Sequence, residues 1–149
     1  MTFANRGKVA ERLLKNELQA RSCSQNAISY RLPDAHAGSF TPTLCDFLLM
    51  VSGELFLLEC KSVKHAYRLP HGNFGPDQAA RMRLWTLAGA SAFVLVFHET
   101  LAVWRCLPLE VFLQREGGSW DLRPFPVYSL PEALDYIVNH KVLKCNSQS

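Results

Sequence analysis

Long apolar runs are missing from this chain. No stretch reaches the roughly 18 consecutive apolar residues that a membrane-spanning helix needs, and Arg6, Lys8 and Glu11 stand where a secretion signal would be apolar. The expectation is a soluble, cytoplasmic protein with no membrane partner. Paired cysteines are missing too: Cys23, Cys45, Cys60, Cys106 and Cys145 are odd in number and show no C-x-x-C spacing. That argues against a disulfide framework or a zinc knuckle and makes reduced thiols the default. No glycine-rich phosphate loop, heptad pattern, internal repeat or Ser-His-Asp arrangement is present, which sets aside P-loop nucleotide hydrolysis, coiled coils, repeat arrays and serine hydrolases. The five histidines, His36, His65, His71, His98 and His140, are too dispersed to mark a metal site by spacing. Charge is also scarce: Asp, Glu, Lys and Arg make up 19%, and a net charge of +3 does not by itself announce a polyanion binder.

What the chain does have is material for a core. At 149 residues and 48% hydrophobic composition it can build one domain and is too short for two ordinary ones. The most informative stretch is Cys45 to Val63, CDFLLMVSGELFLLECKSV. Phe47–Val51 and Leu55–Val63 read as two mostly buried strands, and Ser52-Gly53 as the two-residue turn between them. With that turn, Val51 faces Glu54, Met50 faces Leu55, Leu48 faces Leu57, and Asp46 falls directly opposite Glu59. Side chains alternate along a strand, so Asp46, Leu48 and Met50 share a face with Leu55, Leu57, Glu59 and Lys61.

Directly opposed carboxylates, with Cβ atoms roughly 5 Å apart, repel unless something compensates. A divalent cation would, since Mg²⁺ takes carboxylate oxygens and is commonly completed by water and substrate phosphate. Lys61, two residues beyond Glu59 on the same face, could then orient or deprotonate the attacking water, or neutralise charge on a phosphate. That arrangement suits phosphodiester hydrolysis. A Glu–Lys ion pair at a sheet end is the plainer account of the same residues.

In chain order, Asn5–Arg21 reads as a helix with Asn5 as N-cap and Gly7, Glu11, Leu14 and Leu18 on one stripe. Glu11 is either a carboxylate at the core edge or a surface partner of Lys15. Ala27–Leu32 is a short strand, and PDAHAGSFTPT (residues 33–43) is a loop suited to substrate contact; its Asp34 is set aside as a ligand in favour of Asp46. SVKHAYRLPHGNFG (62–75) reads as a flexible basic and aromatic segment carrying Lys64, His65, Arg68 and His71. Pro76 opens a second helix with Asp77 and Gln78 in its first turn, ending before Gly89. Gln78 could contact the attacking water or a phosphate. Ala92–Phe97 is a buried strand parallel to the Glu59 strand, completing a βαβ unit. Leu101–Leu107 follows a turn at 98–100 as a further strand. Beyond a Gly117-Gly118 turn come a short strand near Trp120–Arg123, a helix from Pro131 to about Lys141 capped by Ser129, and a frayed tail from Ser147.

Charge is distributed unevenly: residues 1–88 hold 11 Lys or Arg against 7 Asp or Glu, and residues 89–149 hold 5 against 6. Arg6 and Lys8 on the first helix, Lys64 and Arg68 in the basic segment and Arg81 on the second helix are the candidate contacts for a polyanion backbone.

The order of a helix with Glu11, a strand opening on Asp46, a strand with Glu59-Cys60-Lys61, a helix with Gln78 and a buried strand resembles the PD-(D/E)XK nuclease superfamily over about residues 5–107. NRGKVAERLLKNEL, CDF followed by ECKSVK, and NFGPDQAARM look most like Holliday junction resolvases of the RecU type, and archaeal resolvases are similar. The resemblance implies an α/β fold with a restriction-endonuclease-like core, a mixed central sheet flanked by helices. It implies a single nuclease domain, with 108–149 as an extension packing on the core or at a dimer interface. It implies a homodimer that cuts four-way DNA junctions with Mg²⁺ or Mn²⁺. Asp46 and Glu59, with the Cys60 backbone carbonyl, match the metal ligands, Lys61 the catalytic lysine, Glu11 the helix carboxylate and a further candidate for the metal set, and Gln78 the glutamine of the following helix. The RecU-type proteins carry a longer projection before the Asp strand, so junction selectivity stands open beside two alternatives: a nuclease of flaps, ends or duplex, and a DNA-binding protein without turnover. An RNA-directed nuclease is a third. A DNA substrate would place the protein at the nucleoid, and its small size would suit a phage-encoded enzyme.

Overall fold

Ala10, Leu14 and Leu18 recur one turn apart and are fully buried, which is why the N-terminal segment is a helix held by its packing face. The structure, a computed structural model, describes residues 3–24, 26–34, 42–64 and 67–147. Helix α1 spans Phe3–Ser24. Asn5 therefore lies inside its first turn and does not cap it, because nothing at residues 3–5 breaks a helix already nucleated downstream.

Strands β1 (Ala27–Arg31), β2 (Phe47–Val51) and β3 (Glu54–Val63) form an antiparallel meander. The β2–β3 register is the predicted one: Leu48 pairs with Leu57, Met50 with Leu55 and Val51 with Glu54. Ser52 (φ 49°) and Gly53 (φ 83°) both take positive φ, the primed turn whose twist matches that of the strands it joins.

The segment expected to be a flexible basic loop contains a short strand. Strand β4 (Arg68–Pro70) follows β3 and leads through a 3₁₀ turn (His71–Asn73) into helix α2 (Pro76–Leu87). Its partner is about fifty residues away in sequence, and Leu69 at its centre is fully buried. Such a pairing leaves no local pattern in the sequence. Strand β5 (Ser91–His98) runs parallel to β3, closing the βαβ unit, and strand β6 (Val103–Pro108) returns antiparallel to β5. It begins two residues later than predicted because the turn extends through Leu101 and Ala102, the latter at φ 53°. The short helix α3 (Glu110–Leu113), which periodicity could not reveal, leads to β7 (Ser119–Asp121), the partner of β4: Leu69 pairs with Trp120 and Arg68 with Asp121. Helix α4 (Leu130–Ser147) runs further at both ends than predicted and takes in Ser147. Ser129 caps it as expected, its Oγ accepting from the Glu132 amide while Glu132 Oε1 accepts from the Ser129 amide, both at 3.3 Å.

The five-stranded sheet has the order β1-β2-β3-β5-β6 and is mixed. Alternation along β3 divides the core in two. Phe56, Leu58 and Cys60 face α1 and α4, packing with Leu14, Leu18, Leu134 and Ile137. Leu57 and Val63 face α2, the β4–β7 ribbon and α3, packing with Met82, Leu69, Phe74, Phe112 and Trp120. Glu59 and Lys61 share the phase of Leu57 and Val63, so they stand on the α2 face. No helix among the described residues is long and apolar enough to cross a membrane.

Candidate active site

Asp46 is held from both sides. The Leu32 amide donates to its backbone carbonyl at 2.9 Å, extending the β1–β2 ladder by one step. The Cys60 amide donates to its Oδ2 at 2.8 Å, which holds the Asp46 side chain against β3, where it meets the Glu59 carboxylate. Burial and the neighbouring Glu59 carboxylate push Asp46 up to about 8, with a carboxyl-to-carboxylate contact to Glu59 adding to the effect and the Cys60 amide opposing it.

Glu59 is 4% exposed. Its Oε2 accepts from Gln78 Nε2 at 2.8 Å and lies 3.2 Å from Lys61 Nζ. Among the described residues no side chain or amide other than the adjoining Asp46 carboxyl is placed to donate to its other oxygen, Oε1, although that atom is buried. Gln78 reaches the site because Pro76 and Asp77 start α2 beside it, and its Nε2 also lies 3.4 Å from the Leu44 carbonyl. Sequence reasoning placed Gln78 on water or phosphate; here its amide is taken by Glu59, which it orients.

Glu11 reaches the site differently from the expectation. Helix α1 packs on the face of the sheet opposite Glu59, and the Glu11 carboxylate accepts from Arg31 Nη2 at 2.7 Å; the pairing with Lys15 is not the one it makes. Arg31 also lies 3.4 Å from Asp34. Its hydrogen bond to Glu11 is the largest of the effects that raise its pKa, and Asp46 is close enough to add to them. Arg31 is the residue that sequence reasoning passed over. The signal was its strand phase: Ile28 and Tyr30 point outward while Ala27, Ser29 and Arg31 point inward, so the one inward cation faces the helix carboxylate. Cys45 and Cys60 border the carboxylates, and burial pushes both thiols up, Cys45 to about 12, which keeps them protonated.

Among the described residues no three His, Cys, Asp or Glu side chains converge to hold a metal ion. The donor set that exists is two adjoining carboxylates with one buried oxygen lacking a donor. Such a pair fits a hard divalent cation whose remaining ligands are backbone, water or substrate. His36 and His65, and the side chain of Arg6, lie outside the described residues. Lys8 and Lys64 are exposed, and Arg81 is half-buried. Arg68, also exposed, is engaged by Ser119 Oγ at 2.8 Å and lies 3.8 Å from Asp121.

A solved structure with a similar chain path is that of Hjc, a Holliday junction resolvase from the archaeal hyperthermophile Archaeoglobus fulgidus. The superposition has a TM-score of 0.62 and covers 85% of this chain and 98% of that one. The fold is restriction-endonuclease-like. At 22% identity the likeness is one of fold. No protein-family model matches the sequence, and no curated protein matches it. In this restriction-endonuclease-like frame, Asp46, Glu59, Lys61 and Gln78 are gathered at one end of the β2–β3 hairpin, on the α2 face, with the Glu11–Arg31 pair joining from α1.

Proposed function

We propose that the protein is a divalent-cation-dependent DNA endonuclease that resolves four-way junctions, working as a homodimer. The observation that carries this reading is Glu59: a buried carboxylate adjoining Asp46, with one oxygen held by Gln78 and Lys61 and the other without a hydrogen-bond partner among the described residues. Asp46, Glu59 and the Cys60 backbone carbonyl would hold Mg²⁺ or Mn²⁺. When bound, such a cation neutralises phosphate charge and makes the attacking water easier to ionise.

The chain's own residues supply the rest. Lys61, its side chain 22% exposed, has an ammonium that can meet a phosphate oxygen or hold the attacking water while staying anchored to Glu59. Gln78 holds the Glu59 carboxylate in one orientation so that the unpartnered oxygen stays free for the cation. The Glu11–Arg31 pair ties α1 to β1 beside Asp46 and keeps a third carboxylate near the site without crowding it. Exposed Lys8 and Lys64, with Arg6, Arg68 and Arg81, are the proposed contacts to the DNA backbone, which positions a duplex without reading its sequence. The archaeal resolvase with the same fold supports the choice of a branched substrate.

The test is cleavage of a synthetic immobile four-way junction, with linear duplex and a single-stranded flap as competitors, in Mg²⁺ and in EDTA. Paired, symmetric, metal-dependent nicks on the junction are expected. Asp46→Asn and Lys61→Ala should each lower the cleavage rate by at least about 100-fold, the scale of losing a preorganised charge at the reacting phosphate, while retaining junction binding. Cutting of the flap or duplex in preference would keep the site and discard the junction. Binding without any cutting would make the chain a DNA-binding protein. Light scattering should give twice the 16.8 kDa of one chain, and a single-chain mass would overturn the dimer.

A further inference from the structure

The Lys61 ammonium has a second anchor besides Glu59. Its Nζ stands over the ring of Phe74, 5.6 Å from the centroid. Phe74 is fully buried and belongs to a three-ring cluster: its ring lies 5.2 Å from Phe112 and 6.4 Å from Trp120, and those two lie 4.9 Å apart at 67°. The cluster is tied down at its outer edge. Trp120 Nε1 donates to the Gln114 carbonyl at 2.6 Å. Arg115 stacks on the Trp120 ring and donates to the carbonyls of Phe74 and His71, at 2.7 and 2.9 Å, clamping the turn from which the Phe74 ring projects.

These contacts matter because of what Glu59 must do. Under the function proposed above, Glu59 is shared between the cation and Lys61, so the ion pair alone cannot keep the ammonium in one place as charge arrives. An aromatic face attracts the ammonium through its quadrupole, has no proton to exchange and cannot be neutralised by a metal. We propose that Phe74 is a positioning residue for Lys61, and that residues 112–120, through the Phe112–Trp120–Arg115 clamp, set where the ammonium meets the scissile phosphate. The inference rests on the nuclease reading.

The test keeps the ring's size and changes its electrons. Phe74 is replaced in the full-length protein by mono-, di- and trifluorinated phenylalanine, each of which weakens the negative face with little change of shape. Single-turnover cleavage of the four-way junction in Mg²⁺ should fall stepwise, reaching about 10-fold at three fluorines, with melting temperature and junction affinity in EDTA unchanged. A rate that does not vary with fluorination while the unsubstituted protein cuts normally overturns the positioning role and leaves the nuclease reading intact. A readout without turnover is the NMR shift of the Lys61 ε-methylene protons, which should be displaced upfield by the ring and return toward the random-coil position in Phe74→Leu. An undisplaced resonance in the folded protein overturns the stack itself. If no DNA is cut by the unsubstituted protein, the nuclease reading falls and takes the catalytic part of this inference with it.

Discussion

Asp46 and Glu59 are destabilising to each other as they stand, and that conflict has a pH signature. The folded-state pKa of Asp46 is raised by burial and by Glu59, whereas in the unfolded chain it returns to the ordinary aspartate range of about 3.9. The folded protein therefore retains a proton that the unfolded chain releases. Its contribution to stability is complete below pH about 4 and is lost as pH rises toward about 8. In EDTA, urea denaturation should show stability falling across that window, at no more than about 1.4 kcal/mol per pH unit. Asp46→Asn should flatten the slope and be the more stable form at pH 8. With Asp46 and Glu59 as the proposed ligands, added Mg²⁺ should stabilise the native protein more at pH 8 than at pH 6, because protons and cation would then compete for the same oxygens. A pH-independent stability in EDTA would remove the carboxylate conflict on which the site is argued.

The β2–β3 hairpin is the element that brings the two carboxylates together, and its turn sets their register. Gly53 has open space where a Cβ would stand, so only its φ of 83° resists a side chain. Gly53→Ala should cost about 1 kcal/mol of stability, while Gly53→Asn should cost less, since Asn tolerates positive φ. Urea midpoints of the two variants check this, and equal midpoints for Ala and Gly would show that the turn is not held in the primed conformation. The remaining elements come to the site from a distance. Helix α2 delivers Gln78, β1 delivers Arg31, and the β4–β7 ribbon fixes the turn that ends in Phe74.

On the scale of the whole molecule, the last forty residues are part of both halves of the core. Phe112, Trp120 and Leu122 close the α2 face, and Ala133, Leu134 and Ile137 close the α1 face, all of them buried. Burial of each large apolar side chain is worth about 1.5–3 kcal/mol, and a domain of this kind has about 5–15 kcal/mol of net stability. A chain stopped after Leu109 is therefore expected to lose cooperative thermal unfolding and its near-ultraviolet circular dichroism. Retention of both by the truncated chain would show that residues 5–107 suffice as a core.

The carboxylate pair was legible where it was local. Asp46 and Glu59 sit thirteen positions apart across a two-residue turn, and period-2 alternation with turn geometry is enough to oppose them and to put Lys61 on the same face. The parallel pairing of β5 to β3 follows from two buried runs separated by a helix with clear start and stop signals, because a crossover of that length permits little else. Strand β4 and its pairing with β7, the Arg31–Glu11 pair and the Phe74 platform were not legible, although a short strand near Trp120 was. Each joins residues thirteen to fifty-three positions apart through three-residue strands or single side chains, too short to carry a period. By itself the sequence determined the hairpin, its register and which charged side chains stand near its end. Only the tertiary structure decided which side chains would complete that end, because contacts between distant segments are chosen by packing, and packing leaves no repeat in the order of residues.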